Sequence, residues 1–302
     1  MGETKESWKE MWGIESNDSE SYEFNLSDFA LFLSVMRRKE AYEATISIIL
    51  DEPDVKMKEV KVEEVILNHY GKRAIRLDAW GMTTDKRQIN MEMENSSNRE
   101  EIAKRSRYYQ GLLDTPILKS GKKTKYKQLP STVIIFITQD DIFGKDCAKY
   151  TFTEQCEEIE GLRLEDGTKK IFLNMSSKNG SKELVSLLQY MKETTLNNSE
   201  IEVEDERIVK LDRIVREVKE SEEWEDVQMN ILELGISKGE LRGQGLKIIS
   251  LVRKKMKRNM SPEEIADWLE EEPFIIKGLY DILEEHPEWS DDEVYKAFKP
   301  RA

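Results

Sequence analysis

Arg73-Ala74-Ile75-Arg76-Leu77-Asp78-Ala79-Trp80-Gly81-Met82 and Gln88-Ile89-Asn90-Met91-Glu92-Met93-Glu94 flank the polar turn Thr83-Thr84-Asp85-Lys86-Arg87. This stretch reads as a β-hairpin, and it is the most informative feature of the chain. In its second arm Ile89, Met91 and Met93 take one face, while Asn90, Glu92 and Glu94 take the other, as the two-residue period of a strand demands. With the turn centred near Asp85, Asp78 and Glu92 fall opposite one another, their Cβ atoms about 5 Å apart. Two like charges that close are unfavourable unless something compensates. A hard divalent cation is the natural compensation, since Mg²⁺ typically binds through one or two carboxylates beside water and substrate phosphate. The same acids also suit the solvent face of an ordinary amphipathic hairpin. Spacing alone does not separate these readings.

Working outward, Val60 to Tyr70 alternates in part and reads as a further strand. Before it, Phe29, Phe32, Leu33 and Met36 fall at helical spacings, and apolar content continues to Leu50, so one helix is predicted from Asp28 to Leu50, stopped by Pro53. Residues 1–25 read as a flexible lead-in. After the hairpin a helix is predicted from about Asn98 to Leu113, then a strand at Val133-Ile134-Ile135-Phe136-Ile137 buried on both faces, with shorter strands at Tyr150 to Thr153 and Lys170 to Leu173. These elements make residues 26–178 an α/β core. Residues 179–258 read as a charged helical region and connector, in which Gly235, Gly239 and Gly243 recur every four residues. That spacing suits either a close helix contact or a weakened polar connector. Residues 259–302 read as a small helical module, opened by Ser261-Pro262-Glu263-Glu264 with its N-cap, its Pro at the first helical position and acid in the first turn.

Of 302 residues, 36% are charged and 38% hydrophobic, which suits a compact core with polar helical surroundings and no membrane span. The amino terminus lacks the apolar stretch of a secretory signal, and Cys147 and Cys156 do not make a disulfide framework, so the expected location is cytoplasmic. A net charge of −14 argues against adhesion to nucleic acid by bulk electrostatics. Local basic runs occur at Lys119 to Lys127 and at Arg253 to Arg258, each of which also reads as a solvated face.

The pair Ile75 to Trp80 and Ile89 to Glu94 resembles the hairpin of the recombination-promoting nuclease (Rpn-like) family, within the PD-(D/E)XK nuclease superfamily. The likeness continues in Lys104-Arg105-Ser106-Arg107-Tyr108-Tyr109-Gln110-Gly111, in Val133 to Ile137, Phe143-Gly144-Lys145, Tyr150-Thr151-Phe152, and Gly167 to Asn174. The segment from Asp28 to Leu50 is similar to the family's first helix. Short motifs in the right order thus cover most of residues 26 to 175. The resemblance implies a restriction-endonuclease-like core, a mixed sheet flanked by helices, followed here by an all-helical C-terminal region. It implies Asp78 and Glu92 as ligands for Mg²⁺ or Mn²⁺, and DNA as substrate. The third motif position, Lys in the superfamily and usually Gln in the family, falls on Glu94. An ionised Glu only accepts hydrogen bonds, whereas Lys or Gln donates. Either Glu94 joins a rearranged metal site or cleavage is weakened.

Arg105 and Tyr109 lie one helical turn apart and suit either a supporting role beside the carboxylates or ordinary surface pairing and packing. Glu40 and Glu43 are candidates for an additional acid, though a solvated helix face fits them better. His69 and His286 belong to no cluster. Two functional expectations follow. One is a metal-dependent DNA endonuclease linked to recombination, mobile elements or phage defence. The other is a catalytically impaired nuclease fold that binds nucleic acid or regulates, kept open by Glu94. The C-terminal helices are the expected seat of homo-oligomerisation. The acidic run Glu270-Glu271-Glu272 makes DNA reading by the last module unattractive.

Overall fold

The computed structural model describes residues 23–67, 72–95, 97–118, 125–269 and 271–298, and the backbone alone of 232–242 and 244. The predicted lead-in up to residue 22, His69, Tyr70, Glu270 and the lysines at 119, 122 and 123 lie outside the described residues.

Two helices, α1 (Phe29–Met36) and α2 (Lys39–Leu50), precede three strands, β1 (Met57–Ile66), β2 (Ile75–Thr83) and β3 (Gln88–Glu94). Helix α3 (Arg99–Asp114) follows, then β4 (Thr132–Thr138), β5 (Lys149–Phe152) and β6 (Thr168–Asn174). The strands form one six-stranded sheet in the order β1-β2-β3-β4-β6-β5. β3, β4 and β6 run parallel at its centre, and the other pairings are antiparallel. The chain is therefore α/β with a mixed sheet. β4 is buried at every position, as expected of a central strand covered on both faces.

The covering layers follow from parity along the strands. Ile134, Phe136 and Phe172 share one sheet face and pack with Ile102, Tyr109 and Leu112 of α3. On the other face Tyr42 of α2 lies against Gly81, and its hydroxyl donates to the Ile89 carbonyl at 2.8 Å. A Cβ at Gly81 would collide with Met57 Cε and meet the Tyr42 ring at 3.1 Å, so glycine sets how closely α2 approaches.

The single helix predicted from Asp28 to Leu50 is two, because Arg38 is extended (ψ 116°) and starts α2 afresh. Propensity gives no warning there, since Arg and Lys are good helix formers. α2 ends where Asp51 turns left-handed (φ 57°), two residues before Pro53. The predicted N-cap of α3 is present, with the Asn98 side chain accepting from the Glu101 N–H.

Downstream the described residues are helical: α4 (Lys182–Lys192), α5 (Glu206–Lys219), α6 (Glu222–Met256), α7 (Pro262–Leu269), α8 (Pro273–Glu285) and α9 (Asp291–Ala297). The compact units are Met1–Trp224 and Glu225–Ala302, whereas the sequence suggests divisions after 178 and 258. α5 packs along α2, burying Leu211 and Val215, and Tyr190 of α4 donates to Asp212 of α5 at 3.1 Å. That apolar seam keeps α4 and α5 with the sheet. α6 is continuous through the glycine repeat. Gly235 and Gly239 lie outside the described side chains, and a Cβ at Gly243 would meet nothing within 4 Å. The close approach is at Gly245 instead, where a Cβ would meet Tyr295 at 2.5 Å. Ile249 and Val252 of α6 build the last module's core with Ile265, Leu279 and Val294. Among the described residues no helix is long and apolar enough to cross a membrane.

Candidate functional site

The hairpin ladder positions the acids. β2 and β3 pair from Met82↔Gln88 to Ala79↔Met91, which makes Asp78 and Glu92 the next opposed positions. There side chains take the place of backbone rungs. The Asp78 N–H donates to Glu92 Oε1 at 3.1 Å, and the Met93 N–H donates to Asp78 Oδ2 at 3.0 Å. β2 meanwhile stays paired to β1 as far as Ile75. The carboxylates thus sit where β2 stops following β3.

Glu92 is 1% exposed, which decides its chemistry. Burial pushes both carboxyls up, Asp78 to about 6 and Glu92 to about 8. For Asp78 the Met93 N–H and the guanidinium groups of Arg105 and Arg76 pull downward. Asp78 ionises first, and its charge then raises Glu92 further. Asn90 donates to Glu92 Oε1 at 2.8 Å and partly offsets that rise. Asn90 is wholly buried, and its Oδ1 finds no partner among the described residues. Asn90 falls on the acid face of the hairpin by alternation, with nothing in its residue type to mark a role. Its position two residues before Glu92 is the signal that was available.

Arg105 reaches the pair from α3. It bonds Glu94 Oε2, lies 3.6 Å from Glu92 Oε2, donates to the Tyr109 hydroxyl at 3.3 Å and covers the Phe136 ring at 5.3 Å. Arg105 does both of the things expected of it, pairing with an acid, Glu94, and lying beside Glu92. Tyr109 does both jobs, packing in the α3 core while its hydroxyl holds Arg105. Burial and the Glu92 charge push its phenol up.

Glu94 is drawn onto Arg105. Among the described residues no three His, Cys, Asp or Glu side chains gather as a metal-binding group. The expected metal set is therefore Asp78 and Glu92 alone. Two hard oxygen donors at the edge of an open cleft still fit Mg²⁺ or Mn²⁺ in the mode that leaves other positions to water and phosphate. Glu40 is exposed in the first turn of α2 and does not line this cleft. Glu43 has a structural task, accepting from the Met57 N–H at 2.8 Å at the start of β1.

The cleft occupies about 1160 Å³ between β2 and α3. Asp78, Glu92, Glu100 and Glu101 line it together with five cations, Arg73, Arg76, Lys104, Arg105 and Arg107. The cations bring local positive charge into a chain whose formal net charge is −14. Apart from Arg105, they carry no role in the sequence reading, because they cluster only once α3 packs beside β2. His286 stacks on Trp289 at 3.9 Å in the C-terminal unit. Cys147 and Cys156 are both free thiols. No family model, no curated protein and no solved structure matches the chain.

Proposed function

We propose that this chain is a divalent-cation-dependent nuclease of PD-(D/E)XK type that hydrolyses phosphodiester bonds in DNA, with Asp78 and Glu92 as the ligands for Mg²⁺ or Mn²⁺. The observation that carries this reading is the opposed carboxylate pair, one member fully buried, at the edge of a cleft rimmed by cations. A fold has little reason to bury one acid directly against a second, half-buried one, since burying a carboxyl costs more than the hydrogen bonds from Asn90 and the Asp78 N–H return. When bound, such a cation supplies charge for the phosphoryl oxygens and acidifies water.

The chain's own residues do the rest. Asp78 and Glu92 are held in position by each other's strand, through the Asp78 and Met93 N–H groups. Asn90 fixes Glu92 Oε1, so Glu92 Oε2 is the oxygen turned toward Arg105. Arg105 returns to the site a positive charge that Glu94 removes from the third motif position, and a guanidinium donates readily to a phosphate oxygen. Glu94 and Tyr109 orient Arg105. Glu94 then acts as a positioning residue rather than a ligand.

The impaired, nucleic-acid-binding reading has one observation in its favour. Arg105 is ion-paired with Glu94 and lies 3.6 Å from Glu92 Oε2, so the acids at the third position and in the pair already share a cationic partner. Nicking of supercoiled plasmid with Mg²⁺ or Mn²⁺ separates the two. Cleavage is expected from the natural protein and lost in Asp78→Ala, while Glu94→Gln, which loosens Arg105, is expected to slow it. No cleavage by the natural protein, or cleavage unchanged in Asp78→Ala, would refute the nuclease. Faster cleavage by Glu94→Gln would make Glu94 a restraint instead of a support.

A further inference from the structure

A second cleft, of about 760 Å³, lies on the other flank of α3. Its cations are Arg99, Lys104, Arg107 and Lys170, against Glu100 and Glu154. Glu100 is bonded to Lys104, so part of the acid is internally neutralised. Its wall is aromatic. Phe143, Phe152 and Phe172 have ring centroids 5.2 to 5.6 Å apart, and Arg99 lies 4.9 Å over Phe143. Phe172 is buried, Phe143 is half-buried, and Phe152, on the edge strand β5, remains 44% exposed.

Lys104 and Arg107 line both clefts, as does Glu100. Positions 100, 104 and 107 are spaced four and three apart, which puts them on one face of α3. The two clefts are thus joined over the solvent face of a single helix, whose width is roughly 10 Å. Exposed aromatic faces beside cations suit an unpaired strand, because stacking needs a base's face uncovered and tolerates any base. A duplex buries those faces in its own stack.

We propose that this cleft binds a single-stranded segment of the nucleic acid, stacking a base on the exposed face of Phe152, which Phe143 and Phe172 back, and holding flanking phosphates with Arg107 and Lys170. The strand then crosses α3 toward Asp78 and Glu92. The direction of that path rests on the nuclease reading, whereas occupancy of the cleft does not.

The test measures binding by fluorescence anisotropy in EDTA, using the full chain with a labelled oligothymidylate and with a duplex of the same length. The single strand is expected to bind more tightly than the duplex. Phe152→Ala should weaken single-strand binding about fivefold or more, the low end of one base stack, and leave duplex binding unchanged. Phe152→Trp, which keeps a stacking face, should restore it and exclude misfolding as the cause. Lys170→Gln should lower the slope of log affinity against log salt by about one. Absence of binding, duplex preference, or an equal effect of Phe152→Ala on both ligands would overturn the proposal. Plasmid nicking lost in Asp78→Ala reports on the carboxylates alone. A protein that cuts without single-strand preference therefore defeats this cleft and spares the nuclease, and one that binds without cutting does the reverse.

Discussion

Replacing Glu92 by Gln should make the cation-free protein more stable in alkali and leave it unchanged in acid. Glu92 has its folded-state carboxyl pushed up to about 8 from an ordinary 4.5, chiefly by burial and then by the charge on Asp78. A group raised in the folded state contributes stability that is fully present below its unfolded value and lost as pH rises through the folded one. The window here runs from about pH 4.5 to about pH 8. At about 1.4 kcal/mol per unit, the ceiling is about 5 kcal/mol. Relaxation of the site and water reaching an ionised Glu92 lower the gain below that ceiling. A gain of about 2 kcal/mol at pH 9 is the expected outcome, or a rise in Tm of roughly 4–8 °C for a unit of this size. Gln Oε1 can still accept from Asn90 and from the Asp78 N–H, so the packing is preserved. Thermal melts of both proteins in EDTA, from pH 5 to pH 9, read this directly. The curves should converge near pH 5 and separate progressively above it. Parallel curves across the range would refute the placement of a buried, ionisable Glu92 beside Asp78.

Other outcomes follow from the same contacts. Arg105→Met should destabilise the cation-free protein by about 2 kcal/mol in urea unfolding at pH 8, because it leaves Glu92 and Glu94 without their shared cation at a half-buried site. Unchanged stability would mean that solvent already screens the three groups. Gly81→Ala should cost about 1–3 kcal/mol by forcing Met57 and Tyr42 away from β2. Gly245→Ala should show its cost, of similar size, in the melting of the C-terminal unit, since the atom it would crowd belongs to Tyr295.

The hairpin is legible in the sequence because two independent periodicities agree. Alternation assigns Glu92 to a face, and a turn centred at Asp85 sets Asp78 opposite it, as the observed ladder continues. The α/β class is legible from β4, whose unbroken apolar run admits a central strand. Arg105 is harder, since it meets Glu94 only because α3 folds back across β3, and eleven residues of separation carry no period. Asn90 reads as an ordinary polar-face residue, yet burial makes it a partner of Glu92. The break at Arg38 is a tertiary decision against local propensity. Continuity of α6 through Gly235, Gly239 and Gly243 goes against the connector reading, since each glycine disfavours a helix interior by only about 1 kcal/mol.

Whether Asp78 and Glu92 form a divalent-cation site is read by calorimetric titration with Mn²⁺. At pH 7 the natural protein should bind one ion with release of protons, because both carboxyls are pushed up and must ionise fully to act as ligands. Asp78→Asn should abolish that binding while keeping its fold by circular dichroism. Absence of Mn²⁺ binding by the natural protein, or binding that survives in Asp78→Asn with the same proton release, would contradict the account.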